Sequence, residues 1–102
     1  MYLEHYSEKR LKAEIRAIFG RYVDLNLYRV FLFGSRVRGS HSERSDIDIG
    51  IEGSREIPSE LLVEISEELE NLPTLYSFDV VDFRNASPGF KKEALKYAET
   101  IN

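Results

Sequence analysis

The sequence contains no cysteine and no tryptophan, and it has only two histidines. The lack of cysteine excludes disulfide bonds, thiolate zinc sites and a cysteine nucleophile. No run of about 18 apolar residues occurs, which argues against a transmembrane helix. The charged N-terminus lacks the apolar core of a signal peptide. We therefore expect a cytoplasmic protein that has no membrane partner.

The chain is short and slightly acidic. Its 102 residues suit a single domain that spans residues 1–102, and its 42% hydrophobic content suits a packed core. Lysine and arginine together number 14, against 18 aspartates and glutamates, which leaves a net charge of -4. Non-specific binding of nucleic acid needs a basic surface, so this balance argues against direct nucleic-acid binding.

The apolar spacing predicts the element order α-β-(α)-β-α-β-α. Helical periodicity indicates helices over 7–22 and 58–72. A serine cap and a proline start a last helix at Pro88, and its apolar face extends to Ile101. Strands are expected over the apolar stretches 28–33, 46–51 and 77–83, and the polar stretch 34–45 has room for a helical turn. The predicted fold class is α/β (α+β), with a small mixed three-stranded sheet flanked by helices.

An acidic pair lies in the second predicted strand. Asp46 and Asp48 alternate with isoleucines, so both carboxylates lie on one face of the strand, about 7 Å apart at their Cα atoms. Two anions this close beside a hydrophobic sheet repel each other and resist ionisation. A divalent cation relieves both problems. Mg²⁺ suits the pair because it binds carboxylate oxygens and substrate phosphates.

A basic connector that begins with glycine joins the first two strands. Gly34 lets a phosphate approach the backbone closely, and Ser35 adds a hydroxyl group. Arg36 and Arg38 follow, and guanidinium groups match phosphate geometry; Arg44 could equally be a solvated loop residue. An acidic pair beside a phosphate-binding connector is the combination that metal-assisted transfer from a nucleoside triphosphate requires.

The third strand offers a further carboxylate. Gly34 ends the first strand and Asp46 starts the second, so both line one site only if these strands run antiparallel. A parallel crossover through the long helix then brings the start of strand three beside Asp46. Asp79 is near that start, whereas Asp82 is near the far end. We therefore take Asp79 as the third carboxylate and keep Asp82 as the alternative.

At these residues the chain resembles the polymerase-β-like nucleotidyltransferase superfamily. The spacing consists of a Gly-Ser pair, ten residues, an Asp-x-Asp pair and a later strand aspartate. Its two motifs are FGSRVRG (Phe33–Gly39) and SDIDI (Ser45–Ile49). In a chain this short, they resemble the minimal nucleotidyltransferases (MNT, MntA-type) of prokaryotes. The resemblance covers essentially the whole chain and implies the polymerase-β-like nucleotidyltransferase fold.

The resemblance also implies an activity and a partner. Its members use Mg²⁺, here as two ions, and transfer AMP from ATP to a hydroxyl. Asp46, Asp48 and Asp79 would hold the metal, and Asp79 would help to activate the acceptor. The phosphate contacts would come from Gly34, Ser35, Arg36, Arg38 and Ser45. Many relatives are antitoxins that adenylylate a tyrosine of a HEPN-domain toxin, so the implied system is a type VII-like toxin–antitoxin pair.

Two alternatives stay open. The protein could neutralise a partner by occlusion, without catalysis, because a site on so small a domain is shallow and open. It could also modify a small molecule, as antibiotic-modifying relatives do, although those relatives carry an additional domain for the acceptor. The intact acidic pair favours catalysis over occlusion, and the short chain favours a protein acceptor over a small molecule.

Overall fold

The computed structural model describes residues 3, 6–34, 37 and 46–102. Its helices are α1 (Glu8–Gly20), α2 (Ser59–Glu70) and α3 (Pro88–Leu95), with a short 3-10 turn at Phe83–Asn85. Its strands are β1 (Tyr28–Phe33), β2 (Ile47–Gly53), β3 (Phe78–Asp82) and β4 (Glu99–Thr100). The helical turn expected within 34–45 falls on a stretch that lies largely outside the described residues.

Local capping explains where two of the helices begin. The Ser7 hydroxyl accepts a hydrogen bond from the Arg10 N–H at 3.2 Å, so α1 starts at the next residue. The Ser87 hydroxyl accepts from the Phe90 N–H at 3.3 Å, and Pro88 occupies the first turn of α3. The helices predicted over 7–22 and 58–72 are confirmed, each slightly shorter than the pattern suggested.

The sheet is mixed, with the strand order β3-β2-β1-β4. β1 runs antiparallel to β2, and β2 runs parallel to β3. Both orientations confirm the sequence prediction. They bring the end of β1 and the starts of β2 and β3 to the same end of the sheet, which is where the candidate site lies.

The fourth strand corrects the prediction of a three-stranded sheet. The last helix was expected to include Ile101, but α3 ends at Leu95 and the chain pairs with β1 instead. The Ile101 N–H donates to the Val30 carbonyl at 2.9 Å, and the Val30 N–H donates to the Asn102 side chain at 2.8 Å. Buried backbone groups need partners, and Val30 is fully buried, so this pairing prevails over the helical pattern.

The two faces of the sheet carry different cores. One face packs against α1 and α2 through a large, mainly aliphatic cluster that includes Val30, Leu32, Ile47, Ile49 and Ile51. The other face carries a small aromatic cluster of Phe31, Phe33 and Phe83, with α3 packed over part of it. From Val30 to Phe33, β1 is buried on both faces, which explains the continuous apolar run of these residues. Within the described ranges, no helix is both long and apolar enough to cross a membrane.

Candidate active site

Three neighbouring strands place Phe33, Asp48 and Asp79 side by side, and we call these residues the cross-strand row. In the β1–β2 register Phe33 lies opposite Asp48, and in the β2–β3 register Asp48 lies beside Asp79. Neighbouring strands are about 4.8 Å apart, and registered residues point to the same face. Asp79 is exposed and Asp48 is half-buried. Two carboxylates therefore share one end of the sheet face that α3 partly covers.

Gly34 closes this end of β1 directly over the Asp48 carboxylate. It adopts a φ of 86°, a conformation that side chains rarely permit. A Cβ atom at this position would lie 2.0 Å from Asp48 Oδ2 and 2.9 Å from its Cγ. The position therefore requires glycine both for its backbone conformation and for space. The structure thus brings Gly34 and Asp48 together at this end of the sheet.

The surroundings of the Asp48 carboxyl disfavour its ionised form. Burial, which is the largest cause, and the negative charges of Asp79 and Asp46 together raise its pKa from 3.8 to about 6. Within the part of the chain that the structure describes, no donor or basic side chain binds this carboxyl. Asp46 lies just before β2 and is exposed. Three negative charges thus converge on one small region with no described counter-charge.

The donor set fits Mg²⁺. This ion commonly binds proteins through one or two carboxylates and completes its octahedron with water and substrate phosphates. Among the described residues, no three histidine, cysteine or acidic side chains form a ready-made metal cage. The carboxylates lie at a strand end without a described counter-charge, beside a glycine that leaves room for a ligand. They therefore suit an ion that a substrate also binds.

Asp82, the alternative third carboxylate, has a different role. Its Oδ2 accepts a hydrogen bond from the Ile57 N–H at 2.9 Å, and its Oδ1 accepts from the Arg84 N–H at 3.0 Å. It therefore caps the 3-10 turn and fixes the loop before α2. It also lies on the opposite strand face from Asp79, because faces alternate along a strand. Of the two candidates, the structure brings only Asp79 beside Asp48.

The other predicted phosphate contacts fall on residues that the structure does not describe. Ser35, Arg36, Arg38 and Ser45 all lie in the connector between β1 and β2, outside the described ranges. Their phosphate-binding roles stay predictions.

A cleft of about 320 Å³ opens between α3 and the cross-strand row, and we call it the α3 cleft. Phe33, Val81, Phe90 and Ala94 form its apolar walls. Asp48, Asp79 and Glu93 contribute its carboxylates, and Gly34 lies at one end. Sequence reasoning missed the roles of Phe90 and Glu93. The i, i+4 spacing of Phe90 and Ala94 marked an apolar helix face, but no local pattern shows that this face borders the acids.

The comparison with protein families decides which superfamily this arrangement represents. The family model named "Polymerase beta, Nucleotidyltransferase" matches residues 13–102. The chain belongs to this nucleotidyltransferase family. The resemblance noted at the Gly-Ser and Asp-x-Asp motifs is thereby confirmed, together with the fold it implied. A search of curated proteins finds no match.

Solved structures share the same fold. A toxin–antitoxin crystal structure with AMP-PNP is 22% identical, has a TM-score of 0.74, and the match covers 89% of this chain and 72% of that one. The structure of a tri-AMPylated Shewanella oneidensis HEPN toxin in complex with MNT antitoxin contains a chain that is 19% identical, with a TM-score of 0.73. This match covers 94% of the present chain and 72% of that one. A protein described as a candidate minimal nucleotidyltransferase is 23% identical, with a TM-score of 0.68 and coverage of 95% and 98%.

Proposed function

We propose that this nucleotidyltransferase is an Mg²⁺-dependent adenylyltransferase. It transfers AMP from ATP to a tyrosine hydroxyl of a HEPN-domain toxin, in the cytoplasm, as the antitoxin of a type VII-like pair. The observation that carries the proposal is the cross-strand row, in which Asp48 and Asp79 lie side by side next to Gly34. Two fold neighbours support it, because one holds AMP-PNP and another contains a HEPN toxin with three AMP groups.

The three carboxylates account for the need for a metal ion. In this proposal Asp46, Asp48 and Asp79 hold Mg²⁺, two ions in all. Bound Mg²⁺ neutralises phosphate charge and polarises the phosphoryl group. Asp48 gains most from such an ion because its ionised form is disfavoured by burial and by two neighbouring anions. Metal binding and deprotonation of this carboxyl are therefore linked.

The remaining residues position the nucleotide. Gly34 leaves the end of β1 open to a phosphate, since any side chain there would collide with Asp48. The proposed contacts from the connector to the triphosphate are Ser35, Arg36, Arg38 and Ser45. Hydroxyl and guanidinium groups donate to phosphate oxygens, which holds the leaving group at the strand end.

The transfer itself is a displacement at phosphorus. The phenolic oxygen of the acceptor forms a bond to the α-phosphorus of ATP. The bond from that phosphorus to the oxygen bridging to the β-phosphate breaks, and pyrophosphate leaves with the bonding electrons. The Asp79 carboxylate accepts the phenolic proton, because it is exposed at the edge of the row, where an arriving acceptor reaches it first.

The test compares ATP labelled at the α-phosphate with ATP labelled at the γ-phosphate. Purified protein, Mg²⁺ and extract of the host cell are incubated, with the Asp46→Asn/Asp48→Asn double variant as the control. We expect label from the α-position only, on a single protein acceptor, and no label with the folded double variant. Label from the γ-position alone would indicate a kinase. Neutralisation of a captured toxin with no label from either position would favour occlusion.

A further inference from the structure

We propose that the α3 cleft binds the aromatic ring of the acceptor tyrosine and that Phe90 selects this ring over an alkyl hydroxyl. The inference rests on the proposed function, which already requires a hydroxyl acceptor, and adds the site that recognises the acceptor's chemistry. It concerns a different element from the acids, since Phe90 lies on α3 and the carboxylates lie on or beside the strands.

Phe90 is fixed on one side and open on the other. Its ring lies edge-on to the ring of Phe33, with centroids 5.9 Å apart, and it also contacts Phe83 at 5.5 Å. These contacts hold its orientation, yet 44% of the residue remains exposed, within the cleft wall. Aromatic rings prefer edge-to-face or offset contacts with one another. The exposed part of Phe90 is thus a preformed partner for an incoming ring.

The charge of the cleft selects a neutral group. Asp48, Asp79 and Glu93 line it, and no basic side chain does so among the described lining residues. Glu93 is itself paired with Lys96 at 3.2 Å, and Lys96 is not among those lining residues. Beyond the proposed metal ligands, the described lining offers a phosphate no basic partner, and Glu93 adds a further negative charge. A phenol ring is neutral and apolar, with a single polar atom to place at the acidic end.

The position of the cleft favours the acceptor ring over the adenine base, which is also neutral. In tyrosine, the reacting oxygen is bonded directly to the ring, so the ring must lie immediately beside the acids. In ATP, the ribose separates the base from the α-phosphate. Phe33 lies opposite Asp48, and Val81 is two residues beyond Asp79 on the same strand face. Aromatic and acidic surfaces therefore meet without a spacer.

The direction of the displacement agrees with this placement. Pyrophosphate leaves towards Gly34 and the connector at the strand end in the proposed mechanism. Attacking and leaving oxygens lie roughly in line during phosphoryl transfer. The nucleophile must then arrive from the side of the carboxylates away from the connector, and the cleft between α3 and the cross-strand row gives an acceptor room beside them.

A kinetic experiment tests the selectivity. α-Labelled ATP is supplied with N-acetyl-tyrosinamide or N-acetyl-serinamide, using the wild type, Phe90→Ala and Phe90→Tyr. We expect Phe90→Ala to raise KM for the tyrosine amide by about three- to tenfold, without changing KM for ATP, and Phe90→Tyr to restore it. Tyr97→Ala is the matched control, because Tyr97 is also exposed at this end of the chain but does not line the cleft.

A binding experiment separates this inference from the proposed function. Each amide is titrated into isotope-labelled protein with Mg²⁺, and backbone amide shifts are followed by NMR. We expect the tyrosine amide alone to shift Val81 and Ala94, and Phe90→Ala to abolish the effect. Ring binding at the cleft without any α-label transfer to a protein acceptor would refute the proposed function and leave the ring site standing.

Two results would overturn the inference while leaving the proposed function intact. The first is efficient transfer to protein with no cleft shifts and equal use of both amides. The second is a Phe90→Ala variant whose KM for ATP rises while its KM for the tyrosine amide stays constant. That result would assign the cleft to the adenine base.

Discussion

The two faces of the sheet show how this small protein separates stability from chemistry. On one face the strands present mainly aliphatic side chains to α1 and α2, and the described residues there pack into one continuous core. On the other face the aromatic cluster is smaller and stops at the cross-strand row. Where that cluster ends, the same strands place Asp48 and Asp79 beside an open cleft.

β2 shows the contrast within a single strand. Ile47, Ile49 and Ile51 are fully buried towards the aliphatic core, whereas Asp48 alternates with them onto the other face. The apolar half of the strand stabilises the fold, and the stable fold holds a half-buried carboxylate that its surroundings disfavour. Substitutions on the two faces should therefore affect different properties.

The largest effects on AMP transfer and on stability are expected from two separate substitutions, one on each face. Asp48→Asn should lower AMP transfer at least about 100-fold, because it removes a carboxylate from the proposed metal site. Its unfolding midpoint should not fall at neutral pH, since an unfavourable buried charge is lost. Leu32→Ala should lower the free energy of unfolding by about 2–5 kcal/mol and keep transfer per folded molecule.

Both variants are measured by α-label transfer and by chemical denaturation of the same preparation. Asp48→Asn protein that transfers AMP like the wild type would show that the acidic face is not the reaction site. Leu32→Ala protein that loses transfer while fully folded would show that the two faces are not separable.

Two glycines on the face that carries Asp48 allow a smaller change, which separates the reaction end of that face from its aromatic packing. Gly34→Ala places a Cβ against the Asp48 carboxylate, so it should move that group and reduce transfer roughly tenfold. Gly50→Ala places a Cβ 2.4 Å from the Phe31 ring and 2.8 Å from the Phe83 ring. It should cost about 1–3 kcal/mol of stability through overpacking, with little effect on transfer per folded molecule. Equal loss of transfer in both variants would contradict the assignment of Gly34.

The smallest expected effect is a pH dependence that belongs to the acidic face alone. Because the folded state raises the pKa of Asp48 from 3.8 to about 6, the native protein holds this proton more tightly than the unfolded chain. The resulting stabilisation is present in full below pH 3.8 and is lost as the pH rises through about 6. With a chelator present, the Tm of Asp48→Asn minus the Tm of the wild type should therefore increase over this pH interval and then stay constant.

Added Mg²⁺ provides the control for that titration. Above pH 6 it should raise the Tm of the wild type, because a ligand that binds only the folded state stabilises it, and it should have less effect on Asp48→Asn. A difference between the two Tm curves that stays constant from pH 4 to pH 7 would rule out a raised pKa at Asp48.

Much of this site could be predicted from sequence because its determinants are local. Strict alternation around Asp48 identified β2 and its two faces. The strand-end positions of Gly34 and Asp46, together with the long helix before β3, indicated the strand directions. β4 could not be predicted, because its two residues carry no periodicity and its pairing depends on Val30, far away in the chain. Phe90 was missed as a cleft residue for a related reason: which sheet face a helix crosses is a property of tertiary packing.

The most direct test of the account compares two aspartates of one strand. Asp79→Asn and Asp82→Asn make the same chemical change three residues apart, on opposite faces of β3. We predict that Asp79→Asn abolishes transfer of α-label to the acceptor while the protein stays folded. Asp82→Asn should transfer AMP normally and lose about 1 kcal/mol of stability, because two backbone N–H groups lose a charged acceptor. The reverse pattern, with transfer lost in Asp82→Asn and kept in Asp79→Asn, would contradict the cross-strand row as the reaction centre.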